Sequence, residues 1–500
     1  MPSAKLTIDP AFTIAPVNRK TFGTFVEHMG RCVYTGIYEP EHPTADENGF
    51  RKDVLELTRE LGVSVVRYPG GNFVSGYRWE DGVGPRDARP RRLDLAWHSV
   101  ETNEFGLDEF TRWCAAAGVE PMMAINLGTR GVQEALDLLE YTNHPGGTAL
   151  SDLRTSHGAA PYGIKLWCLG NELDGPWQIG HKTPTEYGRL AAETARAMRM
   201  IEPDLQLVAC GSSSSKMPLF GTWERDVLRE TYEFVDYISC HAYYGNEDGD
   251  TASFLASAVN MDHFIDSVIA TADHVGAELK STKKIGISFD EWNVWYSDRS
   301  RCTDGPADQW EVAPRRIEDQ YNVTDAVVVG NLLISLLRHS DRVGVACLAQ
   351  LANVIAPIMT EPGGTAWRQP TFHPFAITSR LAAGQVLRIE TDSPTVSTTR
   401  YGDVPAVDAV ATYDEGRTSI FAVNRSSDGP VEVTVDVSRT GATTIEEAVI
   451  VHDADPLATN SAAAPDRVTA QPFESAHLAD GKLTITLPAI SWTAISVTGG

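Results

Sequence analysis

The chain has no long hydrophobic run, no paired-cysteine motif, no excess of positive charge and no glycine-rich phosphate loop. Each lack closes off a class of function. The longest apolar stretch, Ala326 to Leu337, is broken by Asn331 and ends at Arg338, too short to span a bilayer. The N-terminus, MPSAKLTIDPAFTIAPVNRK, shows no charged region followed by an apolar one, so no secretion signal is visible. A soluble cytoplasmic protein with no membrane partner is the expectation. The seven cysteines are an odd number with no CxxC pair, and Cys168, Cys210, Cys240 and Cys347 sit in apolar stretches, where cysteine behaves as a small core residue. This pattern argues against a disulfide scaffold, a zinc finger or a redox motif. Lys and Arg number 42 against 67 Asp and Glu, a formal charge of −25. So acidic a surface repels phosphate backbones and anionic lipid, and nucleic acid is not an expected partner. The densest basic cluster, Arg86, Arg89, Arg91 and Arg92, is interleaved with Asp87 and Asp94 and reads as a salt-bridged loop.

What is present is 500 residues of ordinary globular composition, 42% hydrophobic and 22% charged, more than one core usually organises. Apolar, β-rich runs recur eight times: Thr21–His28, Ser64–Pro69, Glu120–Gly128, Ile164–Glu172, Gln206–Gly211, Tyr237–Tyr244, Lys283–Trp292 and Val343–Leu351. Helical spacing lies between them. Val54, Leu57 and Leu61 share one face, as do Phe110, Cys114 and Ala117, with Gly118 as a C-terminal stop. Thr183, Pro184 and Glu186 form a capping box at the start of another helix. Short apolar strands alternating with amphipathic helices predict an α/β fold, a (β/α)₈ TIM barrel over residues 17–384. Gly70-Gly71 follows the second strand without a third glycine, which disfavours a dinucleotide fold.

Past about residue 385 the period becomes two, most clearly at Pro430–Val437 and Lys482–Leu487, with further strands at Ala406–Tyr413, Thr418–Asn424 and Trp492–Thr498. Residues 385–500 therefore predict a C-terminal all-β sandwich of jelly-roll type. Residues 1–16 alternate as well (Leu6, Ile8, Phe12, Ile14) and are expected to add a strand to it. The stretch Asp453–Asp480, rich in Ala, Pro and Asp, reads as a long loop.

In such a barrel the active site forms where strands end. Strand four ends in Asn171-Glu172 and strand seven in Asp290-Glu291. Hydrolysis of a glycosidic bond needs two such carboxyls, one protonated to donate to the leaving oxygen and one ionised to attack. We assign Glu172 as acid/base and Glu291 as nucleophile, with Arg67, at the end of strand two, as the donor that keeps Glu291 ionised. Trp97, Trp177, Trp292 and Trp295 fall near the expected mouth, where a sugar face stacks on an aromatic ring; Trp97 is the favoured platform for the leaving sugar. Of thirteen histidines, His241 stands two residues before Tyr243 and is read as support for the carboxylates. No HExxH or equivalent pair appears, and the acidic loop Asn246–Asp250 lacks EF-hand spacing, so no metal is expected. Ser212–Ser215 is a polar loop without a nucleophile elbow.

Several long motifs resemble the intracellular α-L-arabinofuranosidases of glycoside hydrolase family 51: Phe25-Val-Glu-His28, Tyr34-Thr-Gly-Ile-Tyr-Glu-Pro40, Arg67-Tyr-Pro-Gly-Gly-Asn-Phe-Val-Ser-Gly-Tyr77, Trp79-Glu-Asp-Gly-Val-Gly-Pro85, Gly170-Asn-Glu-Leu-Asp-Gly-Pro-Trp177 and Asp290-Glu-Trp-Asn-Val-Trp295. The resemblance implies a retaining exo-hydrolase that removes terminal α-L-arabinofuranosyl groups from arabino-oligosaccharides through a covalent intermediate, with no cofactor. It carries the acid/base onto Glu172 and the nucleophile onto Glu291, in agreement with the strand-end argument. It lines the arabinose pocket with Glu27, Asn72, Asn171, Tyr243 and Gln350, at the ends of strands one, two, four, six and eight, and it implies a homo-hexamer. Tyr243 is expected to hydrogen-bond the nucleophile. The rival readings are a β-D-galactofuranosidase or endo-glycanase on the same scaffold, and a non-catalytic carbohydrate-binding protein. Retention sets a further expectation, about 5–5.5 Å between the two carboxyls.

Overall fold

A computed structural model describes residues 1–246, 248–296 and 310–499. Eight parallel strands close into a barrel in chain order: Gly23–Phe25, Val65–Tyr68, Glu120–Ala124, Leu166–Leu169, Gln206–Ala209, Tyr237–Tyr244, Gly286–Val294 and Val343–Ala349. They are called strands one to eight below. Most are shorter than the apolar runs that announced them, because each chain leaves the ladder where its last apolar residues turn toward the mouth. Helices between them bury the expected faces. Val54, Leu57 and Leu61 are buried in Lys52–Leu61, and Phe110, Cys114 and Ala117 in Leu107–Ala117. Gly118 ends the latter in the left-handed conformation, φ 77°, its N–H bonded to Cys114 O. Thr183 caps Pro184–Ile201 and receives the Glu186 N–H.

The second unit is a ten-stranded, mostly antiparallel sheet. The N-terminal strand Ser3–Pro16 lies inside it, antiparallel to Gln385–Asp392 and parallel to Val431–Asp436, with Leu6 opposite both Thr391 and Val435. Leu6 and Ile8 enter its core, but Phe12 does not. The register slips between Ile8 and Thr13, and Phe12 emerges 62% exposed. The stretch Asp453–Asp480 is mainly loop and carries two short strands, Gln471–Pro472 and His477–Ala479.

The helix Val323–Arg338, which contains the longest apolar run, joins the two units. Every residue from Val323 to Leu337 is buried, since one face meets the barrel and the other the sheet. Gly330 lets the backbone ride onto Trp492 of the sheet, where a Cβ would stand 2.2 Å from the indole. Asn331, the polar break in that run, donates to Asp408 Oδ2 at 2.8 Å and accepts from Arg425 at 3.2 Å. Arg338 pairs with both Asp262 of a barrel helix and Asp408 of the sheet. Six cysteines are buried and free; Cys302 lies outside the described residues. The arginine cluster is salt-bridged as expected, but to Glu109 and Asp81 rather than to the interleaved Asp87 and Asp94. No helix among the described residues is long and apolar enough to cross a membrane.

Candidate active site

At the C-terminal ends of the strands a cavity of about 560 Å³ opens, lined among others by Glu27, Asn72, Trp97, Glu172, Tyr243, Glu291, Trp295 and Gln350. Local backbone geometry aims the two carboxylates that face each other across it. Strand four stops at Leu169, and Gly170 and Glu172 both take positive φ, 96° and 44°. Glu172 thus sits in a region costly for a non-glycine residue, held by its surroundings. On strand seven, Ser288 is opposite Ser239 while Glu291 is opposite His241. Three steps on one strand match two on its neighbour, which is a β-bulge. The bulge turns Asp290 and Glu291, adjacent in sequence, both toward the barrel interior. Trp292 consequently points away and is fully buried, so of the four tryptophans expected near the mouth it is the one that does not reach it.

Arg67 binds Glu291 Oε1 at 2.8 Å and Asn171 Oδ1 at 2.6 Å, with Asp290 3.5 Å away. It is at once the expected donor to Glu291 and a buried ion pair with Asp290 and Glu291. Tyr243 donates to Glu291 Oε2 at 2.7 Å, as expected. His241 bridges Glu172 Oε1 through Nδ1 at 2.8 Å and Asp290 Oδ1 through Nε2 at 3.1 Å. Arg67 and His241 lie beneath the cavity rather than on its wall, so neither contacts a sugar held there. Both hold carboxylates from behind. Glycines make the site compact: at Gly70 a Cβ would stand 2.6 Å from Glu27 Cγ, and at Gly71 3.0 Å from Glu291 Oε1. The Gly70-Gly71 pair serves close packing of carboxylates instead of phosphate binding.

The electrostatics follow from burial. Burial opposes the charge on His241, but Glu291, Asp290 and Glu172 outweigh it and raise the imidazole well above its ordinary value. Asp290 resists burial through Arg67 and His241 and is held below the usual carboxylate range. Burial pushes Glu291 upward, against His241 and Arg67. Glu27 is pushed up to about 8, by burial first and by Glu291 next. It accepts from Phe73 N at 3.0 Å, Trp97 Nε1 at 2.9 Å and Gln350 Nε2 at 3.1 Å.

One donor atom each of Glu172, His241 and Glu291 lies within 4.8 Å of the others, a spacing a cation could use. Both His241 nitrogens are already bonded to carboxylates, however, Nδ1 to Glu172 and Nε2 to Asp290, and Arg67 and Tyr243 hold the two oxygens of Glu291. Among the described residues, Gln350 Oε1 and Trp295 Nε1 at the cavity, and Asn171 Nδ2 beneath it beside Arg67, are buried without a protein partner. Each such orphan costs about 1–3 kcal/mol, a cost that ligand hydroxyls would remove. Asn72 opens a short helical turn, Asn72–Gly76, at the rim, and Trp295 meets Tyr243 edge-on at 5.3 Å.

Trp97, the favoured platform, is tied through its N–H to Glu27. The ring beside Glu172 is Trp177, 50% exposed, whose Nε1 donates to Glu172 Oε2 at 2.7 Å. Sequence reasoning also missed Ser213–Lys216, which line the cavity, and Arg400 and Tyr401, which reach it from the sheet unit. No sequence signal marks the last two, because they stand far along the chain in a segment without barrel periodicity. The acidic loop after strand six is not simply solvated: Asp250 caps the helix Thr251–Leu255 and Asp248 pairs with Arg400. Glu247 lies outside the described residues.

Comparison with known proteins agrees with this geometry. Two family models match, the α-L-arabinofuranosidase 1 domain over residues 57–264 and the α-L-arabinofuranosidase C-terminal domain over 290–491. The second begins inside strand seven, so it spans part of the barrel as well as the sheet. The chain is 60% identical, over 99% of its length and 75% of the relative's, to an intracellular exo-α-(1→5)-L-arabinofuranosidase of Streptomyces lividans. It is 55% identical, over 99% and 97%, to an exo-α-(1→6)-L-arabinofuranosidase of Bifidobacterium longum. Among solved structures, a family 51 α-L-arabinofuranosidase of Bifidobacterium longum superposes with TM-score 0.96 at 51% identity, covering 99% and 100% of the two chains. An arabinose complex of the α-L-arabinofuranosidase of Thermotoga maritima gives 0.87 at 34%, with the same coverage.

Proposed function

This chain belongs to the α-L-arabinofuranosidases of glycoside hydrolase family 51, and from that membership we propose that it removes terminal non-reducing arabinofuranosyl groups with retention of configuration. The observation that carries retention is the closeness of the two carboxylates, one oxygen of each within 4.8 Å of the other. An inverting pair needs roughly 6.5–9.5 Å to admit a water between sugar and base. Glu291 is the nucleophile. Arg67 and Tyr243 grip its two oxygens separately and hold the carboxylate in orientation for attack on the anomeric carbon. Glu172 is the acid/base. His241 Nδ1 and Glu172 Oε1 share one proton across 2.8 Å, so Glu172 can present that proton to the leaving oxygen and afterwards take one from water.

Glu27, Asn72, Asn171 and Gln350 bind the hydroxyls of the arabinofuranose, the last two through the polar atoms now unpaired. Trp177, half exposed beside the acid, is the platform for the leaving sugar. Relatives named as intracellular support action inside the cell on short arabino-oligosaccharides. Their names differ in linkage, (1→5) and (1→6), at similar identity, so linkage is assigned by assay on both dimers. The implied hexamer predicts a sedimentation mass of six chains; a monomer in solution would refute it. The mechanism is tested by trapping with a 2-fluoro or epoxide arabinofuranose mimic. We expect the label on Glu291 and α-arabinofuranose as the first product seen by NMR. A label elsewhere, or the β anomer first, would overturn the reading.

A further inference from the structure

The sheet unit reaches into the active site at one point. Between Gln385–Asp392 and Val407–Asp414 the chain leaves the large sheet and forms a separate hairpin, Thr395–Thr398 against Gly402–Pro405. Its tip, Thr399-Arg400-Tyr401, crosses to the barrel. The Thr399 hydroxyl donates to Asp250, the Arg400 N–H donates to Ser253 Oγ at 3.2 Å, and the Arg400 guanidinium pairs with Asp248. Asp250 and Ser253 belong to the start of the helix Thr251–Leu255, where Asp250 accepts the Ser253 N–H at 3.1 Å. The tip is therefore seated on the loop that follows Tyr243 and Tyr244, on a backbone already fixed by a helix cap.

From this seat Arg400 and Tyr401 form part of the wall of the cavity that contains Glu172 and Glu291. A line of polar groups runs from the hairpin toward the opposite loop. Tyr401 and Tyr244 both line the cavity, the Tyr244 hydroxyl donates to Asn260 at 3.3 Å, and Asn260 donates to Ser215 at 3.3 Å. Size points the same way. The cavity of about 560 Å³ extends from Glu27 and Glu291 to Arg400 and Tyr401, whereas one pentose has only ten heavy atoms. The volume exceeds what one arabinose needs, and the part shaped by Arg400 and Tyr401 combines a half-buried ring with a cationic donor, the chemistry that binds a neutral polyol by stacking and hydrogen bonding.

We propose that Arg400 and Tyr401, carried by the sheet unit, form a binding subsite for the sugar unit beyond the leaving residue and so favour oligosaccharides over simple glycosides. The proposal rests on the exo-arabinofuranosidase reading above. It assigns the sheet unit a part in recognition.

The test is the ratio of kcat/KM for arabinotriose to that for 4-nitrophenyl α-L-arabinofuranoside, measured on wild type, Arg400→Ala, Tyr401→Ala, Tyr401→Phe and Asp248→Asn, with melting temperatures alongside. Arg400→Ala and Tyr401→Ala should each lower the ratio roughly tenfold through KM, the scale of one lost charge-assisted hydrogen bond or stacked ring. Tyr401→Phe, which keeps the ring, should recover most of it. Asp248→Asn removes the ion pair but no cavity group, and its ratio should stay within about twofold of wild type. An unmoved ratio in both alanine variants would overturn the subsite. So would an Asp248→Asn loss equal to theirs, since the hairpin's seat would then be the cause. A wild type inactive on both substrates would instead overturn the exo-arabinofuranosidase reading itself.

Discussion

Glu27 is wholly buried with its carboxyl near 8, while in an unfolded chain it titrates at about 4.3. Between those values the native state keeps a proton that the unfolded state has lost, so this group's stabilisation is complete below about pH 4 and falls as pH rises toward 8. Glu27→Gln removes the titration. Its amide oxygen can still accept from Phe73 and Trp97, and Gln350, whose Oε1 is free, can flip to meet the new donor. We expect the variant to gain several kcal/mol over wild type at pH 8, up to about 5, and little at pH 4.5, read from denaturant melts at both pH values. A variant whose stability relative to wild type is the same at both pH values would contradict the burial argument. Glu172 allows a second test at this scale. Glu172→Ala should slow natural arabinosides by about 10²–10⁴-fold, the usual worth of general acid catalysis, and slow glycosides of acidic phenols far less, since those leave unprotonated. Equal losses across a leaving-group series would remove the acid assignment.

At the scale of elements, the strand-seven bulge and the left-handed turn at Glu172 set the two carboxylates proposed as the catalytic pair facing each other on ordinary barrel strands. The helix Val323–Arg338 does comparable work for assembly of the fold. It is apolar all round because it is covered all round, and Gly330 permits its close approach to Trp492. Trp492 is itself fully buried and has nowhere to move. Gly330→Ala should therefore destabilise the protein by about 1–3 kcal/mol, the cost of overpacking, with kcat of the surviving folded enzyme nearly unchanged. Thermal melts and activity at 25 °C check both halves; a neutral melt would show that the helix can shift on the sheet.

For the whole molecule, barrel and sheet are bound by a polar lock as well as by this helix. Asp408 of the sheet faces Asn331, Arg338 and Arg425 together, and those cations keep its carboxyl below the usual range despite burial. Asp408→Ala would leave Arg425 buried without its carboxylate. Breaking one partner of a buried pair costs about 3–5 kcal/mol, and we expect a loss of that order in denaturant unfolding. The two units should unfold in a single transition in wild type and separate into two in the variant; one unchanged transition would show that the apolar helix alone couples them.

Much of this was legible from residues. Eight apolar runs with helical spacing between them determine a parallel barrel because buried parallel strands must be apolar on both faces. Polar residues at the C-terminal ends of such runs, Glu27, Asn171, Glu172 and Gln350, fall at the mouth wherever the strands close. The Thr183-Pro184-Glu186 cap is local chemistry and needed no tertiary context. Other features depend on how strands lie beside one another. The bulge that brings Asp290 in with Glu291 and sends Trp292 out is a mismatch between two strands, and a slip of register likewise exposes Phe12. Trp177 rather than Trp97 meets Glu172 because loops, not spacing, carry the rings. Arg400 and Tyr401 reach the cavity only because a helix covered on both sides clamps the sheet against the barrel. Local pattern determined the layers and the carboxylates at the barrel mouth; tertiary packing decided which neighbours hold them and which distant segment shares their cavity, because contacts between remote parts of a chain leave no period in its sequence.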